Sequence, residues 1–323
     1  MCTAITYKTN DFYFGRTLDI ECSYNEQITI TPRNFPLKFK HMEEMKTHFA
    51  IIGMAYVVDN YPLYYDAANE IGLCMAGLNF VGNAKFGSIQ DNKINLAQFE
   101  FIPWILSRCS SVSEAVKEIE KINITDTAFN NELPPAELHF IIADKKDAIT
   151  VETSINGIKV YNNPVGVLTN NPPFDVQMHL LSNYMKLSPK PPCNEFSEKI
   201  ELTPYSRGMG ALGLPGDLSS SSRFVRAAFT KLNSVSGEGE EESVGQFFHI
   251  LGAVEQVRGC CEANGGYEIT VYSSCINADK GIYYYTTYNN RQINAVNINK
   301  INLDFDKLIC YSLVSKQQIH RQN

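Results

Sequence analysis

Residues 3–7 and 12–16 are apolar and β-branched runs on either side of Asn10-Asp11, which predicts two strands joined by a tight turn. Further β-rich runs follow at 27–31, 50–58 and 73–80. The period then changes. Phe99, Ile102, Ile105 and Leu106 recur at helical spacing over 98–107, and Ser111 with Glu114 forms a capping-box signature ahead of 112–122, so two consecutive helices are expected. A second strand block covers 138–143, 148–153, 157–161 and 165–169. Helical signals return at 222–232 and 243–254, where Val244, Phe247, Phe248, Leu251 and Val254 make one stripe. The chain closes on strands at 267–274, 281–287 and 293–298.

Strands, helices, strands, helices, strands is not the alternation of a doubly wound fold. It predicts an α+β protein of antiparallel sheets with helices layered outside them. The linker-like stretches, 188–192 with three prolines and the acidic 234–243, are too short to separate domains. One domain over residues 1–323 is expected.

Composition excludes more than it selects. The chain is 44% hydrophobic and 20% charged, ordinary for a globular protein. A net charge of -7 argues against a nucleic-acid surface and gives no long-range pull on an anionic substrate. The first residues lack both a basic start and an apolar run, and no apolar stretch is long enough for a bilayer. No membrane contact and a cytoplasmic location are expected. Nine scattered cysteines, an odd number, fit a reducing compartment better than a disulfide framework. The six histidines show no metal spacing, and His249, inside an apolar helix, reads as a core residue.

Cys2 follows Met1 directly. If Met1 is removed, one residue carries a thiol, with an ordinary pKa of about 8.5, and an α-amine at roughly 7.7–8.0. The amine can then take the thiol proton with little mismatch. A cysteine taken at random is far more often an incidental buried thiol, so Cys2 needs partners. If the first two strands pair, Arg16 returns near the terminus, where a guanidinium favours thiolate, and Asp19 can hold the amine. Taken alone, each reads more readily as a member of a surface ion pair. Asn79 and the pair Asn170-Asn171 end predicted strands, where an Asn serves either a turn or a developing oxyanion. Arg223 opens a predicted helix, an unfavourable place for a cation in the helix dipole.

Met1-Cys2-Thr3-Ala4-Ile5, Phe14-Gly15-Arg16-Thr17-Leu18-Asp19, Ala76-Gly77-Leu78-Asn79, Leu168-Thr169-Asn170-Asn171-Pro172 and Ser222-Arg223-Phe224-Val225 together resemble the choloylglycine hydrolases, which include bile salt hydrolases and penicillin V acylases. The resemblance runs over essentially the whole chain, and five motifs in order are specific. It implies an N-terminal nucleophile hydrolase with a four-layer αββα sandwich, commonly a homotetramer in gut bacteria, needing no metal or cofactor. Met1 alone would be removed. Cys2 would be the nucleophile and its amine the base, supported by Arg16 and Asp19. Asn79 and Asn171 would line the oxyanion hole, Asn171 being chosen over Asn170 as the second Asn of the Thr-Asn-Asn run, and Arg223 would complete the site.

Within that family, Asn79 favours bile salt hydrolases, since penicillin V acylases often carry Tyr there. A steroid needs a broad apolar wall. Leu18, Tyr24, Tyr65, Phe129 and Leu133 fall in segments resembling the family's pocket loops, although each also reads as ordinary core. Arg207, in Tyr205-Ser206-Arg207, resembles a loop that meets the amino-acid end of the substrate, where its donors suit a sulfonate. The expected partner is thus a small conjugated bile salt, with taurine conjugates cleaved at least as well as glycine conjugates. Rival readings are an acylase of other N-acyl compounds and a bile-acid-binding protein with an inert Cys2. A histidine-dependent cysteine protease lacks its local signature.

Overall fold

A computed structural model describes residues 1–323. The chain opens with β1 (Cys2–Lys8) and β2 (Phe12–Ile20), the expected hairpin, then β3 (Gln27–Thr31), β4 (Ile51–Val58), β5 (Tyr61–Asn69), β6 (Cys74–Asn79) and the short β7 (Ile94–Ala97). Helices α1 (Phe101–Arg108) and α2 (Val112–Ile119) follow, then β8 (Ile122–Thr125), β9 (Leu138–Ala143), β10 (Ala148–Ser154), β11 (Gly157–Asn162) and β12 (Val167–Leu168). After α3 (Phe174–Leu181), α4 (Ser220–Asn233) and α5 (Glu240–Gly252) come the two-residue β13 (Glu262–Ala263) and β14 (Gly266–Tyr267). The last strands are β15 (Ile269–Asn277), β16 (Ile282–Thr287), β17 (Asn290–Asn297) and β18 (Ile309–Ser312).

Two antiparallel sheets result, one ordered β12-β1-β2-β15-β16-β17 and the other β11-β10-β9-β6-β5-β4-β3-β18. The side-chain period of two sorts their residues into layers. In the eight-stranded sheet, Ile52, Met54, Cys74, Ala76, Ile141 and Ala143 join a core shared with the six-stranded sheet and with α4 and α5. Their alternates Ile51, Ala55, Leu73, Met75, Phe140 and Ile142 pack on α1 and α2. The order is therefore helices, sheet, sheet, helices, the expected αββα arrangement. Burial of each such Leu, Ile or Phe contributes about 1.5–3 kcal/mol. Because both sheets are covered on both faces, β1 reads as a nearly continuous buried run rather than an alternating one.

Gly15 shows how closely β2 and β15 meet: a Cβ there would fall 2.0 Å from the Ser274 carbonyl oxygen. Several expectations need correction. The second helix stops at Ile119 because Ile122–Thr125 leaves it to pair with β7. Strands β5 and β18 and helix α3 were not expected. His249 is exposed on α5, whose buried stripe is Val244, Phe247, Ile250 and Leu251. No helix is long and apolar enough to cross a membrane.

Candidate active site

The β1–β2 register places Cys2 opposite Leu18 and Ala4 opposite Arg16. Cys2, Arg16 and Leu18 therefore share one face of the sheet. That face looks toward the second sheet, because Arg16 Nη1 donates to the carbonyls of Gly77 on β6 (2.5 Å) and Tyr65 on β5 (3.2 Å). Arg16 is fully buried. Burial alone would weaken its charge, but the Cys2 thiol, Tyr272, Asp66 and Asp19 around it outweigh that penalty and hold the guanidinium protonated.

Asp66 is the counter-charge that the sequence did not announce. It lies between the sheets and accepts from the hydroxyls of Tyr272 (2.5 Å), Tyr283 (2.7 Å) and Ser274 (3.0 Å). Burial pushes its carboxyl above the usual range, with Arg16 the main opposing influence.

On the other face of β1 and β2 stand Thr3, Thr17 and Asp19. Asp19 is fully buried and accepts from Thr17 Oγ1 (2.8 Å) and Thr270 Oγ1 (2.6 Å). Burial raises its carboxyl, opposed first by Arg223. With Met1 in place, it is the backbone of Asp19 rather than its carboxylate that pairs with Met1: the Asp19 N–H donates to the Met1 carbonyl, and the Asp19 carbonyl accepts from the terminal amine. That amine also reaches Glu268 Oε1 (2.8 Å).

Arg223 lies in the first turn of α4 and is completely buried. Its Nη1 donates to the Cys2 carbonyl (2.5 Å) and to Thr3 Oγ1 (2.7 Å), its Nη2 to Asn170 Oδ1 (2.8 Å) and its Nε to the Leu218 carbonyl (3.0 Å). Burial pulls its pKa down against the pull of Asp19 and Cys2. The helix start is tied by Asp217, which accepts from Ser219 N–H and Ser222 Oγ, and not by the side chain of the N-cap Ser219.

The two asparagines point in different directions. Asn170 Oδ1 accepts from the Cys2 N–H (2.8 Å) as well as from Arg223, and its Nδ2 donates to the Asn79 carbonyl (2.8 Å). The side chain of Asn171 turns to the surface and donates to the Val81 carbonyl (2.7 Å). Gln177, on the unexpected α3, grips the Asn170 carbonyl (2.8 Å). The Asn79 side chain is exposed at the end of β6 and forms none of these bonds, which leaves its amide free.

A cavity of about 410 Å³ lies beside this cluster, within the range of small-molecule sites. Twelve of its fifteen lining residues are hydrophobic, among them Tyr24, Tyr65, Phe129 and Leu133 as expected, with Phe99, Ile102 and Leu138 in addition. Tyr65 joins the two regions, its side chain lining the cavity while its carbonyl receives Arg16. Leu18 does not line it, because the register holds it in the intersheet core across from Cys2. Arg207 does not either, since it is exposed on an irregular stretch.

Residues 2–311 match the family model of linear amide C–N hydrolases, choloylglycine hydrolase family. The chain is 56% identical over 324 aligned positions, covering all of both chains, to a bile salt hydrolase/transferase of Lactiplantibacillus plantarum. Its structure superposes with a TM-score of 0.93, at 36% identity and full coverage of both chains, on the C2A mutant of a conjugated bile acid hydrolase from Clostridium perfringens. A penicillin V acylase from Agrobacterium tumefaciens, 20% identical with a TM-score of 0.75 over 95% of this chain and 90% of that one, shares the fold. The sandwich is thus that of the N-terminal nucleophile hydrolases, and the chain belongs to the choloylglycine hydrolase family of linear amide C–N hydrolases.

Proposed function

We propose that the protein hydrolyses the amide bond of conjugated bile salts, with Cys2 as nucleophile once Met1 has been removed. The observation that carries this reading is the grip on Cys2 itself. Its nitrogen donates to Asn170 and its carbonyl accepts from Arg223, while Arg16 stands on the side of its thiol. Loss of Met1 turns that same nitrogen into an α-amine already facing Asn170 Oδ1. The amine takes the thiol proton, and the thiolate, favoured by Arg16, attacks the substrate carbonyl. Amides of Asn79 and of the Asn170-Asn171 segment meet the oxyanion. The ammonium returns its proton to the leaving nitrogen, glycine or taurine departs, and a thioester remains. Water then attacks the thioester, releases the bile acid and restores the thiol. An amine in place of water would accept the acyl group, a group transfer compatible with the word transferase in the name of the L. plantarum relative.

The apolar cavity suits a steroid, and the Arg207 guanidinium, which donates no hydrogen bond, is available to a sulfonate. Taurine conjugates are accordingly cleaved at least as well as glycine conjugates, and Arg207→Ala should lower the taurocholate-to-glycocholate rate ratio. A homotetramer is part of the same proposal: Met185, Phe196 and Tyr205 lie on one irregular stretch and are each more than 80% exposed, which suits burial against another copy. Light scattering gives that mass directly.

Intact-mass spectrometry tests the chemistry. The purified protein should lack one methionine, and brief incubation with taurocholate followed by acid quench should add one cholyl group, absent in Cys2→Ala. Retained Met1 in an active enzyme, or activity surviving Cys2→Ala, would end this reading. Hydrolysis of penicillin V without any cleavage of bile salts would move the substrate assignment to the acylases.

A further inference from the structure

His139 lies on β9 and is completely buried. Its Nδ1 stands 3.1 Å from Glu152 Oε1 and its Nε2 2.9 Å from the Thr169 carbonyl oxygen. A carbonyl cannot donate, so Nε2 carries a proton. Glu152 Oε1, which faces Nδ1, also accepts from the Phe174 N–H (2.9 Å) and so ties the ring to the start of α3. The ring lies flat on Phe80, centroids 4.3 Å apart and planes within 7°. One imidazole thus touches the residue after Asn79 and the residue before Asn170.

We propose that His139 is a positioning residue for acyl transfer. Through Nε2–H it fixes the Thr169–Asn170 segment against the Asn79–Phe80 segment, with Glu152 holding the ring from the far side. This role rests on the reading of Cys2 as the nucleophile. Amides aimed at an oxyanion act only when held in place before charge develops, and a misplacement near 1 Å costs about 100-fold in rate. The steroid cavity contains neither His139 nor Glu152, so substrate affinity does not depend on the pair.

His139→Phe keeps a ring on Phe80 but removes the Nε2–H donor and the partner of Glu152. With taurocholate, its kcat should fall by about 10- to 100-fold while KM stays within about twofold. His139→Gln can present an N–H at the position of Nε2 and should recover to within about fivefold of wild type. His139→Asn falls short of Thr169 and should stay low. Equal kcat for His139→Phe and wild type, or a rise in KM in place of the fall in kcat, overturns the proposal. If His139→Phe does not fold, equal kcat for the Gln and Asn variants overturns it. Nitrogen-15 spectra of the wild type at neutral pH give an activity-free check: Nε2 of His139 should carry a proton, and a bare Nε2 refutes the placement. A wild type that cleaves no conjugated bile salt would instead overturn the substrate reading and leave the ring protonation measurable.

Discussion

Arg223→Met removes four hydrogen bonds with little change in side-chain length. The Cys2 carbonyl and Thr3 Oγ1 are buried acceptors that lose their donor, Asn170 Oδ1 keeps only the Cys2 nitrogen, and the Leu218 carbonyl is half-buried and can be hydrated. An unsatisfied buried acceptor costs about 1–3 kcal/mol. Two such acceptors give about 3 kcal/mol, in line with the loss on breaking a buried charged network. Relief of the burial penalty on Arg223 itself keeps the figure from rising further. For a chain of this size that is a Tm lower by about 5–10 °C.

The same substitution has a pH signature. Burial already raises the Asp19 carboxyl, and Arg223 is the strongest influence opposing it, so Arg223→Met raises it further. A carboxyl whose folded pKa lies above its unfolded one favours folding fully below the ordinary carboxylate range and loses that contribution as pH rises through the folded value. The Tm deficit of the variant should therefore be larger at pH 7.5 than at pH 4.5. Differential scanning calorimetry at both values measures it, and initial rates with taurocholate should fall by at least about 100-fold because Cys2 and Asn170 lose their common anchor. Arg223→Lys should rescue poorly, since an ammonium cannot serve divergent acceptors as a planar fork does. A Tm within about 2 °C of wild type, or a deficit that does not grow with pH, would refute the reasoning.

Asp66→Ala leaves two tyrosine hydroxyls and Ser274 without their acceptor and Arg16 without the stronger of its two carboxylate influences; the denaturant midpoint should drop by an equivalent of about 3–5 kcal/mol, with kcat reduced. Phe129→Ala opens the cavity wall and should raise KM for taurocholate about tenfold with kcat nearly unchanged, as steady-state kinetics would show. Burial pushes the Glu100 carboxyl up to about 7 against the N–H groups of Ala97 and Lys40. Its contribution to stability is present below the unfolded carboxylate pKa and lost as pH rises through about 7. Melts of wild type and Glu100→Gln should therefore shift in the variant's favour between pH 5 and pH 8.

Elements with strong periodicity were legible in the sequence, and those interrupted by polar or cyclic residues were not. β5 reads Tyr61-Pro62-Leu63-Tyr64-Tyr65-Asp66-Ala67-Ala68-Asn69, with a proline and a carboxylate inside a strand. Both features argue against a central strand in a lone sequence. They are tolerated here because Asp66 faces three hydroxyls brought by β15 and β16, partners more than 200 residues away. Missing β5 hid Asp66, and passing over the Pro172-Pro173 start of α3 hid Gln177. Two adjacent asparagines are a different case. Composition and spacing are the same for both, and only the backbone path out of β12 decides which side chain turns inward to Cys2 and Arg223. His139 carried no signal because its partners, Glu152 and the Thr169 carbonyl, are contributed by separate elements.

Charge balance explains why the proposed chemistry needs its terminus processed. Two buried guanidiniums, Arg16 and Arg223, flank Cys2 from opposite faces of β1, and two buried carboxylates, Asp66 and Asp19, accompany them. A buried site cannot gain net charge cheaply, so a thiolate formed by sending its proton to water would be costly. Passing the proton from sulfur to the nitrogen of the same residue changes no net charge. The later oxyanion is likewise balanced by the ammonium that the transfer created. While Met1 remains, that nitrogen is an amide whose N–H is already spent on Asn170, and it cannot take a proton. The same framework of arginines, carboxylates and asparagines is then assembled around an inert thiol. On the proposed mechanism, removal of one residue supplies the missing base.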